Sequence, residues 1–258
     1  MTDNKISEEY AIRVKNVIKS FDGKEEVLKG INLDIVKGKI TFIIGFSGTG
    51  KSVLLKHLLG VYLPTAGHVE VLGKNLSELT HDQTIEVRKS FGVLFQGAAL
   101  FDDQTVLENV LFPLNEHRRD LKKHERLEQA MTRLKLVGIE EKHFYKLPGQ
   151  ISGGMQKRVG MARAIALNPE ILLYDEPTTG LDPILTEMVD NLIIETHKYQ
   201  EGCTSIVVSH DLTAAFRLAD YIAMLDSGKV LLFGTPQEFL DSDNKLVRKF
   251  VDKGIQRK

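Results

Sequence analysis

Apolar and polar residues alternate with a period of two along the first part of the chain. Ile12 and Val14, then Ile31, Leu33 and Ile35, each fall on one side of an extended segment, with FDGKEE and VKGK separating the runs. Such alternation, punctuated by turn residues, predicts an antiparallel sheet from Ala11 onward. It leads into ITFIIG, whose unbroken apolar run predicts a buried strand ending at Gly45. HVEVLGKN, after Pro64, predicts a further strand and turn, and FGVLFQ (91–96) a strand that ends on a polar side chain. Between Thr105 and Leu167 the period changes. Leu127, Ala130, Met131, Leu134 and Val137 recur at spacings of three and four, as the buried face of a helix does. ILLYDE (171–176) and SIVVSH (205–210) return to short apolar runs, now closing on acids or a histidine, which predicts parallel strands buried on both faces. Ligands bind open α/β sheets at the carboxyl ends of such strands, so those terminal polar residues are candidates for chemistry. The expected layout is one α/β domain over residues 10–245, a helical subdomain inserted at about 97–165, and a charged tail, 246–258, that frays.

Composition narrows the functional classes. At 258 residues the chain is long enough to bury roughly 70–75% of its unfolded surface. Its 34 Lys and Arg are matched by 35 Asp and Glu, so charge gives no reason to expect a nucleic-acid partner. The basic stretch EHRRDLKKHER (116–126) has acids interleaved and reads as a solvated helix face. No apolar run approaches the roughly 20 residues of a membrane span, and MTDNKISEEY lacks the basic and apolar regions of a secretory leader. Cys203 is the sole cysteine, which excludes an intramolecular disulfide and fits a reducing compartment.

Gly45-Phe46-Ser47-Gly48-Thr49-Gly50-Lys51-Ser52 matches G-x-x-x-x-G-K-[ST] between a predicted strand and the helical run that begins at Val53. The glycines let successive N–H groups turn inward around phosphate oxygens, and the positive end of the following helix adds to the attraction. Lys51 then supplies a cation to the β- and γ-phosphates and Ser52 a hydroxyl to Mg²⁺. Asp175 and Glu176 close an apolar strand, where two adjacent acids are costly unless they serve a cation or a reaction. Asp175 suits the Mg²⁺ shell. Glu176, directed differently by strand alternation, suits orienting and deprotonating an attacking water. A phosphate loop with an acidic strand fits many nucleotide hydrolases.

Ile151-Ser152-Gly153-Gly154-Met155-Gln156-Lys157-Arg158, lying between those two motifs, resembles the LSGGQ signature of ABC ATPases and is followed, as in that family, by a helix and then the acidic strand. Ser152 is a good N-cap and the glycines permit close approach, so this helix start is a second anion site. The resemblance, covering roughly Ala11 to Phe239, implies a P-loop NTPase fold: a RecA-like core, an antiparallel β subdomain and an inserted α-helical subdomain. It further implies a head-to-tail homodimer, in which Ser152, Gly153 and Gly154 of one subunit serve ATP held by the other. Gln96 resembles the glutamine that senses Mg²⁺ and attacking water, Asp182 a residue of the loop crossing the dimer interface, and His210 the histidine that bonds the γ-phosphate. Phe21 stands where the family places an aromatic over adenine; as a residue it equally suits the core of the first sheet. Gly45 to Val53, with Phe21, Asp182 and the signature residues, are thus the expected ATP contacts, and Ser52, Gln96 and Asp175 the expected Mg²⁺ contacts.

Within the family, FQGAALFDDQTVLENVLFPL (95–114), Met155 and the end NKLVRKFVDKG resemble ATPase subunits of Mla/Mce-type phospholipid transporters. The implied partners are an integral membrane permease and an Mce-domain lipid-binding protein, with the chain peripheral at the cytoplasmic face of the inner membrane. An ATPase of a small-solute importer, for example of amino acids, shares every catalytic residue and is the second reading. A soluble ABC protein of DNA repair or translation is the third, opposed by the single phosphate loop and single signature. Phe46, where proline is frequent, and Met155, where glutamine is expected, depart from the common pattern at positions that owe phosphate no side-chain contact. Ala98, Ala99, Leu100 and Phe101 are expected to form an apolar loop awaiting a partner helix, with a place in the insert's own core as the alternative.

Overall fold

The structure, a computed structural model, describes residues 9–255 and the side chains of residues 9–252. Residues 1–8, on which most of the reading of the chain's start falls, and residues 256–258 lie outside the described residues. In chain order the elements are β1 (Tyr10–Ser20), β2 (Glu26–Val36), β3 (Ile40–Ile44), α1 (Lys51–Leu58), β4 (Ala66–Val71), β5 (Lys74–Asn75), α2 (His81–Lys89), β6 (Phe91–Leu94), α3 (Val106–His117) and α4 (Lys123–Leu136). There follow α5 (Gly153–Ala164), β7 (Ile171–Asp175), α6 (Pro183–Tyr199), β8 (Thr204–Ser209), α7 (Leu212–Leu218), β9 (Tyr221–Asp226), β10 (Lys229–Gly234), α8 (Pro236–Leu240) and α9 (Lys245–Ile255). They fall into two units, one formed by the residues through Arg88 with those from His210 on, the other by residues 89–209.

In the first unit, β2, β1, β4 and β5 form an antiparallel sheet in that order, as the period of two predicts. Val14 sits opposite both Leu33 and Val69, and all three are buried. The pairing shifts after Val14, where Asn16 takes a left-handed backbone, so alternation does not run unbroken through β1. β3, every residue of it buried, pairs in parallel with β9, and β10 flanks β9 antiparallel. The segment expected to fray is, through Ile255, helix α9, which packs on α7 and buries Val247, Phe250 and Val251. Its apolar residues recur at helical spacing beneath the charges, a pattern that composition alone conceals.

In the second unit, β6, β7 and β8 form parallel pairs in which Leu94 lies opposite Tyr174 and Asp175 opposite Val208. Their carboxyl ends therefore share one edge. The helical insert comprises α3, α4 and α5, with α3 held at its start by a capping box between Thr105 and Glu108. Ala130 and Leu134 of α4 are buried as the spacing predicts. Cys203 is buried, and burial pushes its thiol up to about 12, so it packs as a small apolar side chain rather than a reactive thiolate.

Candidate functional site

In the first unit, residues 45–50 connect the buried end of β3 to α1. A Cβ on Gly45 would lie 2.4 Å from the Leu225 carbonyl oxygen of β9, so the chain can leave the strand here only as glycine. Gly50 takes a left-handed backbone (φ 100°) at the N-cap of α1 and offers the helix no side-chain cap, which leaves its first amides directed at the loop. Lys51 is 8% exposed and curls back over the loop, donating to the carbonyls of Gly45 at 2.7 Å and Phe46 at 3.1 Å. Thr49 Oγ1 also donates to the Phe46 carbonyl at 2.9 Å. Phe46, Ser47 and Gly48 are exposed, as are Ser52 and His210, while Val53 is half-buried. His210 directly follows β8 in sequence and precedes Asp211, whose carboxylate caps α7 through the Ala214 amide at 3.1 Å. The arrangement is a ring of main-chain groups with one cation inside and a bare helix start beneath.

Phe21 is 58% exposed, so it is not a core residue of the first sheet. Its ring meets Tyr62 edge-on at 5.4 Å, and the Lys19 ammonium lies 5.2 Å from its centroid. Tyr62, which the sequence did not single out, fixes the plane of that ring; no local pattern links residues so far apart.

In the second unit, Asp175 ends β7 half-buried and Glu176 follows it. Glu176 lies just past the end of β7 and has φ 47°, a left-handed backbone rare for a side chain of this kind, so the alternation of the strand does not extend to it. Its amide donates to the Val208 carbonyl at 2.8 Å and Thr179 Oγ1 donates to its Oε2 at 3.0 Å, holding the strained position from both ends. Gln96, exposed, leaves β6 at the same sheet edge. Ser152 caps α5 as expected, its Oγ accepting from the Met155 amide at 3.3 Å. Gly153 is exposed, and a Cβ on Gly154 would press on Leu185 at 2.9 Å. Asp182 also caps, accepting from the Leu185 amide at 2.9 Å at the start of α6.

The turn after β6 contains the apolar residues expected to await a partner. Ala98 instead is buried, under α5, whereas Phe101 is 39% exposed and tilts against Phe112 at 4.8 Å. Phe95, Phe101, Phe112 and Arg163 line a groove of about 300 Å³. Among the described residues, no group of three or more His, Cys, Asp and Glu converges as a metal site, and no helix is long and apolar enough to cross a membrane.

The chain belongs to the ABC transporter family of ATP-binding, ATP-hydrolysing cassettes: the family model described as ABC transporter matches residues 28–179. A probable ribonucleotide transport ATP-binding protein, mkl, of Mycobacterium leprae is 39% identical over 252 residues, 97% of this chain and 71% of that protein. The intermembrane phospholipid transport system ATP-binding protein MlaF of Haemophilus influenzae is 38% identical, over 93% of this chain and 89% of that protein. Among solved structures, the dimeric post-hydrolysis state of the ATP-binding cassette MJ0796, bound to ADP and Pi, superposes with a TM-score of 0.78 at 35% identity, covering 87% of this chain and 98% of that one. The fold is accordingly that of a P-loop ABC ATPase, and ATP with Mg²⁺ are its ligands.

Proposed function

We propose that this chain powers phospholipid movement between or across membranes, as a homodimeric ATPase bound to an integral membrane permease on the cytoplasmic face of the inner membrane, with an Mce-domain lipid-binding protein as a further partner. The observation that carries this reading is the near end-to-end match to the phospholipid-transport ATPase, together with the aromatic groove of the helical unit. Exposed apolar side chains gathered in one groove suit a covering protein helix.

In this reading Gly45 to Val53 cradle the phosphates. The Lys51 ammonium exchanges its two carbonyl partners for phosphate oxygens, a step favoured because the charge is already withdrawn from water. Ser52, Gln96 and Asp175 offer only oxygen donors, which fits Mg²⁺ rather than a softer metal. The ion, when bound, neutralises charge on the β- and γ-phosphates. Glu176 orients the attacking water and accepts its proton, and His210 bonds the γ-phosphate as charge develops. Phe21, steadied by Tyr62, stacks on adenine. Ser152, Gly153, Gly154 and Asp182 serve the nucleotide of the opposite subunit.

The test has two parts. Lys51→Ala in the full-length chain should lose MgATP binding while keeping its far-ultraviolet spectrum; normal hydrolysis by the folded variant defeats the site assignment. A complex purified in mild detergent through the tagged chain should contain a permease and co-purify phospholipid by mass spectrometry. A permease specific for a water-soluble solute would reject the lipid assignment and favour the importer.

A further inference from the structure

Three positions spaced by three on α5, Lys157, Gly160 and Arg163, all meet the turn that follows β6. A Cβ on Gly160 would lie 2.8 Å from Leu94 Cδ1 and 3.2 Å from the Ala98 Cβ, so the glycine is what lets helix and turn approach. On one side of it Lys157 donates its ammonium to the main-chain carbonyl of Gln96. On the other, Arg163 Nη2 donates to the Ala98 carbonyl at 2.8 Å. The turn needs this support. Ala98 and Ala99 both take left-handed backbones, φ 60° and 47°, a conformation that strains residues other than glycine.

Stability alone is a weak reason for Lys157. The residue is 6% exposed, and burying an ammonium against one carbonyl costs more than packing an unbranched apolar side chain in its place. Gln96, by contrast, is exposed, so water would satisfy its carbonyl if the lysine were gone. What the ammonium adds is a fixed direction: the helix capped by the signature residue Ser152 reaches over and holds the backbone of Gln96, two residues past the end of β6.

We propose that Lys157 is a positioning residue for Gln96: by holding the Gln96 carbonyl from α5, it sets the direction of the Gln96 side chain relative to the signature turn at Ser152. The inference rests on the reading of Gln96 as the side chain that meets Mg²⁺ and the attacking water. Loss of the contact lets the backbone at Gln96 rotate, so hydrolysis suffers while the phosphate loop, shaped by its own glycines and Lys51, keeps its grip on ATP.

The test compares Lys157→Met, Lys157→Arg, Gln96→Ala and the Lys157→Met/Gln96→Ala pair in the purified transporter complex, reading kcat, KM for ATP and the unfolding midpoint. Lys157→Met should lower kcat roughly 10- to 100-fold, the scale of a misplaced catalytic group, with KM changed by less than about twofold and the midpoint held. Lys157→Arg, which keeps a donor, should recover most of the rate. In the Gln96→Ala background Lys157→Met should add almost nothing, because both changes act through one side chain. Should the Met variant fold poorly, Lys157→Gln is read in its place. A normal rate for Lys157→Met beside a slow Gln96→Ala, or losses that multiply in the pair, overturns the inference and spares the role of Gln96. A normal rate for Gln96→Ala overturns that role and this inference with it.

Discussion

The ring of Phe46, in the phosphate loop, meets the ring of Phe250, on the last helix, edge-on: centroids 4.3 Å apart, planes at 70°. The loop that should hold the nucleotide is thereby braced by a residue 204 positions later. Phe250→Ala should cost about 3 kcal/mol of stability, as removal of a buried aromatic does, and should weaken MgATP binding several-fold because Phe46 loses its neighbour. Urea unfolding and titration with a fluorescent ATP analogue measure the two effects. A stability loss with unchanged affinity would mean the loop holds its shape alone.

Glu176→Gln keeps the size of the side chain and an acceptor for Thr179, so the local backbone should persist. The variant should bind MgATP normally, turn over at least about 100-fold more slowly for want of the proton acceptor, and accumulate as an ATP-bound dimer. Size-exclusion chromatography with and without ATP distinguishes that species. A variant that stays monomeric with ATP even beside its membrane partner contradicts the proposed head-to-tail pairing.

His57, on α1, is fully buried, and its Nδ1 donates to the Val53 carbonyl at 2.7 Å. Burial pushes the imidazole below its ordinary value, opposed by that hydrogen bond and aided by the charge of Lys19. The unfolded chain therefore binds a proton at a pH where the folded chain does not. The resulting stability is fully present above about pH 6.5, the ordinary value, and is lost as pH falls toward the lower folded value. Unfolding free energy should decline with acid in that window by up to roughly 1.4 kcal/mol per pH unit from this group. His57→Leu should flatten the decline; an unchanged slope assigns it to other groups.

Phe101, exposed, lines the aromatic groove, and Leu100, half-buried, directly precedes it in the turn. Replacing both with Asp should leave a folded chain that binds ATP but no longer assembles with its membrane partner, since two carboxylates cannot be covered by an apolar helix. Co-purification and lipid movement in reconstituted vesicles are the measurements. Aggregation of the variant would mean the pair belongs to the core of the helical unit, and undiminished transport would rule out both roles.

What the sequence disclosed and what it withheld divide along a physical line. β3, the run from Gly45 to Ser52, the cap at Ser152 and the face of α4 were legible because each depends on residues within a turn or a strand of one another. Tyr62 beneath Phe21, Phe250 against Phe46 and Lys157 on Gln96 were not, because each joins residues brought together only by packing. Helix α9 was misjudged as fraying for a related reason: its charged residues dominate the composition, while Val247, Phe250 and Val251 make a buried stripe only once a partner, α7, is in place. The apolar loop 98–101 was half right, since Ala98 is drawn under Gly160 and Phe101 is left outside.

The left-handed backbone at Glu176 sets this position against the interests of the fold. Glycine would adopt φ 47° with little strain, relieving on the order of 1 kcal/mol, though it would forfeit the bond from Thr179. If Glu176 has the proposed role, a search for sturdier variants would thus be drawn toward a change that abolishes turnover, and a glutamate kept there in a working descendant of this chain would record selection for rate over endurance.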